Sequence, residues 1–463
     1  MKQLRVKSVK VEFADENVTS FGGFVLAERL AQRLGLWSSL AGELPDRRGR
    51  FGWWDVIRSA VAGMLTGSRG TYATEEVRED KPLLNMLGVE GAPEEATFWR
   101  CLEGLGAGPV ASVLSKTQRR WVRDLLGRAT RRDLLVGGFF PVFGDGTLLE
   151  GSRRREGTKY MKDKGEGLLW TTWFCGPLVA AQSLAADGEG EQSLLESMLD
   201  DVVADVLEPL QLKDRALLLM DSLHGDGPTF DRAEDRDLRY IIGVNKLSET
   251  DRVLAEQPES QWLDTGAQPE RGWDESAVCV CWLQCEDWRH KRLMVGRRWK
   301  RADELFYHYA GVATDLREDD VAHLIKANRS FAEVIWWLYD RKAGGEDHYK
   351  DLLDDLNLHH PPCRELVRNR GFYAVATLAH TLARGVDLIG GKSRERGSMR
   401  RLDGRRRKRA KPRRMRLWRL IRRYFTLAGH VACHGRQACV TLLGVSPTVR
   451  EEFNQRWRRI CCC

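Results

Sequence analysis

Two apolar runs that each finish on an aspartate constrain this chain most. LLLMD (217–221) and FFPVFGD (139–145) read as buried strands, and each delivers a carboxylate, Asp221 or Asp145, where the strand stops. Around them the pattern alternates. LLWTTWFCGPLVAAQSL (168–184) and RYIIGVNK (239–246) are further strand-like runs, and EQSLLESMLDDVVADVL (191–207) is an amphipathic helix. Strands alternating with helices predict an α/β sheet, and ligands bind such sheets in the crevice where strand ends converge. One acid after a strand is ordinarily a turn former or a helix cap. Two such acids point to a site, the more so because Asp145 sits between Gly144 and Gly146, which leave the backbone free to turn and leave space beside the carboxylate.

The flanking sequence divides the chain further. Residues 1–132 read as helical: FVLAERLAQRL (24–34) stops at Gly35, a residue suited to closing a helix, and WWDVIRSAVAGML (53–65) and APEEATFWRCLEGL (92–105) follow. Several short helices suit a DNA-reading domain and plain helical packing equally well. Residues 133–246 form the first part of an α/β core. Residues 247–320, with SAVCVCWLQCEDW, KRLMVGRRW and ELFYHYAGVATDL, read as a β-rich insertion in that core. Residues 321–390 return to helix and complete the core, and 391–463 form a basic, helical C-terminal segment.

Charge is distributed unevenly. Between Lys392 and Arg423 seventeen Lys and Arg face only Glu395 and Asp403, a local charge of +15, so the rest of the chain carries −7 of the overall +8. So dense a basic run predicts a nucleic-acid partner. No apolar h-region follows MKQLRVKSVK, and no run approaches the ~18 apolar residues of a membrane span, so a cytoplasmic location is expected. Eleven unevenly spread cysteines fit a reducing compartment rather than a disulfide framework. Cys279, Cys281, Cys285 and His290 lack the spacing of a zinc knuckle, and AVCVCWLQC alternates like a strand, so no zinc site is assigned there.

Two neighbouring carboxylates repel, so one must protonate or a cation must come between them. Oxygen-only ligands favour a hard ion such as Mg²⁺, and two such ions ~4 Å apart can clamp the attacking and leaving oxygens of a phosphodiester. A pair of ions needs a third acid. Glu346 is the candidate, with Tyr339 and Lys342 seven and four residues before it, a spacing that lines one face of a helix. The phenol and ammonium would hold phosphate oxygens while the carboxylate takes metal. Glu333 and Glu365 are the next candidates. An ordinary surface pair, Lys342 with Glu346, fits the same spacing, and Gly344 and Gly345 weaken a regular helix there.

With these residues in view, the chain resembles the DDE transposases of bacterial insertion sequences. It is most similar to the cut-and-paste group whose third acid lies in a Tyr…Arg…Glu…Lys signature and whose core carries a β insertion between the second and third acids. The resemblance runs from TSFGGFVLAERLAQRLGL (19–36) to MRLWRLIRRYFTLAGHVACHGRQACVTLLG (415–444). Asp145 and DGTLLEG match the first acid, Asp221 the second, Glu346 the third and Tyr339 the signature tyrosine. Lys342 stands where the group has Arg, with Arg341 adjacent, and Leu353 stands where it has Lys, with Lys350 the nearest substitute.

The resemblance implies an RNase H-like core and a helical N-terminal domain that contacts terminal inverted repeats. It also implies Mg²⁺ (Mn²⁺ as substitute) at the three acids, double-stranded DNA as partner, and a homodimer that synapses two ends. Cleavage would leave a free 3′-hydroxyl that then attacks target DNA. Phosphate contacts would come from Tyr339, Arg341, Lys342 and Lys350, and from Arg405, Arg406, Arg407, Lys408 and Arg409 of the basic run. An inactive, transposase-derived DNA-binding protein and another nuclease with the same core remain as alternatives.

Overall fold

The computed structural model describes residues 17–151, 154–161, 165–186, 188–244, 247–325, 329–391, 394–395, 413–434 and 437–463. Arg405 to Arg409 lie outside the described residues. The chain divides into two compact units: Leu102–Arg384, and Met1–Cys101 together with Gly385–Cys463. Among the described residues no helix is long and apolar enough to cross a membrane.

The unit built from the chain ends begins with helices. Helix α1 (Val25–Arg33) buries Leu26, Ala27, Leu30 and Ala31 on one side. Gly35 follows it at φ +63°, a left-handed turn that only a residue without Cβ adopts cheaply. Helix α2 (Trp53–Thr66) starts with the Asp55 carboxylate accepting from the Gly52 N–H at 3.0 Å, which satisfies a backbone donor left over at the helix start.

The Leu102–Arg384 unit is organised by a mixed sheet of ten strands. Its core strands are β1 (Phe140–Glu150), β2 (Gly165–Cys175), β3 (Leu178–Leu184), β4 (Ala216–Met220) and β5 (Arg239–Gly243), in spatial order β3-β2-β1-β4-β5. The first three pair antiparallel, whereas β1–β4 and β4–β5 are parallel. Parallel neighbours need a crossover, and helices α3 (Glu191–Val202) and α4 (Gly227–Asp235) provide the two. Strands β2 and β4 are buried almost throughout, which is why their sequences run apolar without alternating.

The expected β insertion extends this same sheet. Strands β6 (Glu275–Leu283), β7 (Arg292–Lys300) and β8 (His308–Thr314) form an antiparallel meander. Its last strand pairs with β5 through Val312–Gly243, Ala313–Ile242 and Thr314–Ile241. Cys279, Cys281 and Cys285 are buried and form no disulfide among the described residues, and His290 lies 3.5 Å from Glu234. Beyond the meander come helix α5 (Phe331–Tyr339), a single 3-10 turn Asp340–Lys342, and helix α6 (Ala343–Lys350).

The C-terminal segment departs from its helical expectation. It holds a hairpin, β9 (Gly429–His434) and β10 (Gln437–Leu442), and β9 also pairs with the short strand Val18–Thr19. The strand signal is present in HVACH and QACVTL, whose β-branched residues favour a pleated surface, but the surrounding charge obscures it. Helix α7 (Pro447–Cys462) closes the chain.

Candidate active site

Strand register brings the two sequence-predicted aspartates together. The parallel ladder between β1 and β4 runs from Phe140–Ala216 to Phe143–Leu219 and stops there. Two residues further along each strand stand Asp145 and Asp221. Asp145 does not end its strand, contrary to expectation. β1 continues to Glu150 because its other edge stays paired with β2, where Asp145 faces Thr172. Asp221 does end β4, and its carboxylate accepts from the Leu223 N–H at 2.9 Å, capping a short turn. It thus forms the turn and at the same time lies 3.7 Å from His224 Nε2.

Neither Gly144 nor Gly146 has a positive φ, so backbone freedom is not their role. Their missing side chains are. A Cβ on Gly144 would come within 2.7 Å of the Trp173 ring, and one on Gly146 within 2.4 Å of the Glu191 carboxyl carbon. The vacant side of Gly146 is therefore where Glu191, the first residue of α3, reaches the site.

The turn after Asp221 brings in His224, which is 2 % exposed. Its Nε2 lies 3.0 Å from Glu191 Oε1 and 3.7 Å from Asp221 Oδ1. The Nε2 and Oε1 atoms form an ion pair when His224 is protonated; both are buried, and neither has a further hydrogen-bond partner. Ligand atoms of Asp145, Glu191 and His224 all lie within 4.8 Å of one another.

This crowding sets the proton affinities. Burial, then the charge of Asp221, pushes the Asp145 carboxyl up to about 6; Glu191 adds to the rise, while Lys342 and the Gly146 N–H, donating at 2.9 Å, oppose it. Burial pulls the His224 imidazole down, but Glu191 and then Asp221 and Asp145 outweigh it and hold the group above its usual range. Burial, followed by the charge of Asp221, holds the Tyr339 phenol well above its usual range, so Tyr339 is a hydrogen-bond donor at neutral pH.

The other expected residues separate into two sets. Lys342 Nζ lies 3.7 Å from Asp221 Oδ2. The Tyr339 hydroxyl reaches the end of β5, where a Cβ on Gly243 would meet it at 2.8 Å. Arg341 instead stacks over Trp337, 4.8 Å from the ring centre, and Lys350 pairs with Asp347 at 3.5 Å. Glu346 is exposed on α6 and forms no ion pair with the cluster among the described residues. Its helix is nevertheless fastened beside Asp145. The Tyr349 hydroxyl donates to the Asp145 carbonyl at 2.6 Å, with Thr172 Oγ1 2.5 Å away, and Gly345 faces the Phe143 side chain. Glu333 caps α5 through Ser330, and Glu365 pairs with Arg368.

Sequence reasoning does not single out Glu191 or His224. Glu191 looks like any acid at the start of an amphipathic helix, where the helix dipole favours it. The one signal for it is the space at Gly146.

No family model matches the chain, and no curated protein matches it significantly. Among solved structures it is similar to a piggyBac transposase synaptic complex with hairpin DNA, with a TM-score of 0.39 and 10% identity over 87% of this chain and 78% of that one. That likeness is too distant to assign residues.

Proposed function

We propose that the chain is a DDE-type transposase with an RNase H-like core, cutting at the terminal inverted repeats of its own element and joining the 3′-hydroxyl ends to target DNA. One observation carries the reading: Asp145 and Asp221, remote in sequence, stand side by side just past a parallel ladder, and the signature tyrosine, Tyr339, and Lys342, where the group has Arg, reach the same place. The mixed five-stranded core is compatible with it.

Asp145 and Asp221, joined by Glu346 from the neighbouring helix, would hold Mg²⁺, with Mn²⁺ as substitute. The buried Glu191 carboxylate beside Asp145, with Asp221 close by, gives the oxygen-rich, acid-heavy surroundings that a cation there would need. Such ions activate an attacking oxygen and stabilise a leaving one in phosphodiester displacement. Lys342 neutralises part of the carboxylate charge and, with the neutral Tyr339 hydroxyl, donates to phosphate oxygens of a bound strand. Tyr349 positions α6 and hence Glu346. Arg405, Arg406, Arg407, Lys408 and Arg409 hold the DNA backbone, and two copies synapse two ends.

The test is cleavage of duplexes taken from either side of the gene and carrying short inverted repeats. The wild type is expected to nick at the repeat boundary with Mg²⁺ or Mn²⁺, and Asp145→Asn, Asp221→Asn and Glu346→Gln to bind ends without cutting. Uncut DNA with bound ends for the wild type would favour the inactive DNA-binding alternative. Cutting by Glu346→Gln at the wild-type rate would remove Glu346 from the acids. Replacing the five cations Arg405, Arg406, Arg407, Lys408 and Arg409 with Gln should lower the salt slope of DNA binding by about 4.5, roughly 0.9 for each phosphate no longer neutralised. Deleting through Arg423 would be a poorer test, because Leu417, Leu420 and Ile421 are buried core residues.

A further inference from the structure

We infer that Glu191 and His224 join Asp145 in holding a divalent transition ion, of the imidazole-accepting Mn²⁺ to Zn²⁺ class, in preference to Mg²⁺. The inference rests on the proposed reading only in sharing Asp145 with it. Three separate elements supply the donors: the middle of β1, the first residue of α3, and the turn after β4. Their ligand atoms lie within 4.8 Å of one another. Donors on opposite sides of one ion stand about 4.4 Å apart, given metal–ligand distances of about 2.2 Å, so small side-chain rotations suffice to close on an ion.

Burial strengthens the case. The side chains of His224 and Glu191 are 2% and 9% exposed, and the facing atoms Nε2 and Oε1 have no further hydrogen-bond partner. A buried polar atom whose neighbour pairs with it only when protonated calls for an account, of which an ion is one. The local charge points the same way: three carboxylates, Asp145, Glu191 and Asp221, gather against Lys342 and a single imidazole. The donor chemistry then selects the ion. Mg²⁺ takes oxygen and keeps its waters, whereas later divalent ions accept imidazole nitrogen and bind mixed nitrogen–oxygen sites more tightly.

Without an ion, a protonated His224 would simply pair with Glu191. Titrating the full chain with Mn²⁺, read from the loss of the free-ion EPR signal and competed with Mg²⁺, separates the two. The wild type is expected to bind Mn²⁺ at least about tenfold more tightly than Mg²⁺. Glu191→Gln and His224→Asn should each weaken Mn²⁺ by about tenfold or more while changing Mg²⁺ little. Thermal melts establish that each variant is folded. If His224→Asn fails to fold, the isosteric Glu191→Gln decides alone. Unchanged Mn²⁺ affinity in the folded variants, or no Mn²⁺ binding by the wild type, overturns the inference. DNA cleavage with those results would leave the transposase reading standing. Mn²⁺ binding that depends on Glu191 and His224, in a protein that cuts no DNA, would leave the ion site standing and sink the transposase reading.

Discussion

Two groups of buried charge in the Leu102–Arg384 unit make opposite use of similar residues. Around Arg292, which is 1% exposed, the guanidinium is bracketed by Glu234, with Nε and Nη2 each 2.9 Å from a carboxylate oxygen, and by Asp231. The rings of Phe230 and Trp288 cover it. Acids and cations there nearly balance, with Arg289 and His290 also beside Asp231 and Glu234, although Arg292 Nη1 is itself buried without a hydrogen-bond partner. Around Asp145, acids outnumber cations and two facing atoms are left without further hydrogen bonds. Buried charge that is balanced from within serves architecture, while acidic charge left in excess is available to a ligand.

The largest expected effect falls on the unsatisfied group. Asp221→Asn should lower metal-dependent DNA cleavage by about 10³-fold or more while shifting the unfolding midpoint little, as read by single-turnover cleavage and urea denaturation. At Arg292 the pattern should reverse. Arg292→Ala removes the cation that Asp231 and Glu234 share, leaving Arg289 beside the one and Tyr240 and His290 beside the other, and is expected to destabilise the unit by about 2–3 kcal/mol, again by urea denaturation. If Arg292→Ala proved neutral in stability, the contrast would fail at its structural end.

The two glycines of β1 sharpen the comparison. Gly144→Ala pushes against Trp173, whose ring is pinned by a hydrogen bond from Nε1 to the Leu195 carbonyl at 2.8 Å. It should cost about 1–3 kcal/mol of stability. Gly146→Ala meets only the end of the Glu191 side chain, which can swing away. Its expected loss is under about 1 kcal/mol, together with weakened Mn²⁺ binding. Equal losses at both positions would mean that the Glu191 carboxylate is not free to move.

The smallest effect is a pH window. Burial alone would raise the Glu234 carboxyl, but hydrogen bonds from Arg292 and Tyr240 bring it below its ordinary value of 4.5. A depressed carboxyl adds stability that is complete above the ordinary value and is lost as pH falls through the folded-state value. The urea midpoint should therefore drop below about pH 4.5 in the wild type. Arg292→Met should lack that contribution. A parallel drop in both proteins would assign it to other carboxylates.

Much of the core is legible in the sequence because its strands are written as apolar runs and its helices as amphipathic ones. That Asp145 and Asp221 lie near each other is legible because each follows a strand-like run, although the strand bearing Asp145 continues to Glu150. Spacing groups Tyr339 and Lys342 with Glu346 on one helix face, but the 3-10 turn Asp340–Lys342 interrupts that helix. Glu191 is not legible, because an acid at a helix start is favoured for local reasons whether or not it faces a site. His224 stands only three residues beyond Asp221, yet nothing local tells which way its ring turns. The pairing of β8 with β5 is also hidden, since strand runs give no information about their neighbours across a long connection.

The turn Asp340–Lys342 changes how a spaced motif should be interpreted. A 3-10 residue advances the chain by about 120° around the axis where an α residue advances about 100°, so three of them add roughly 60° of rotation. Counting from Tyr339 to Glu346 on an uninterrupted spiral therefore aims Glu346 at the wrong compass bearing. In a motif of this kind, sequence distance fixes how far away a residue stands, and the hydrogen-bonding pattern between fixes the direction it looks.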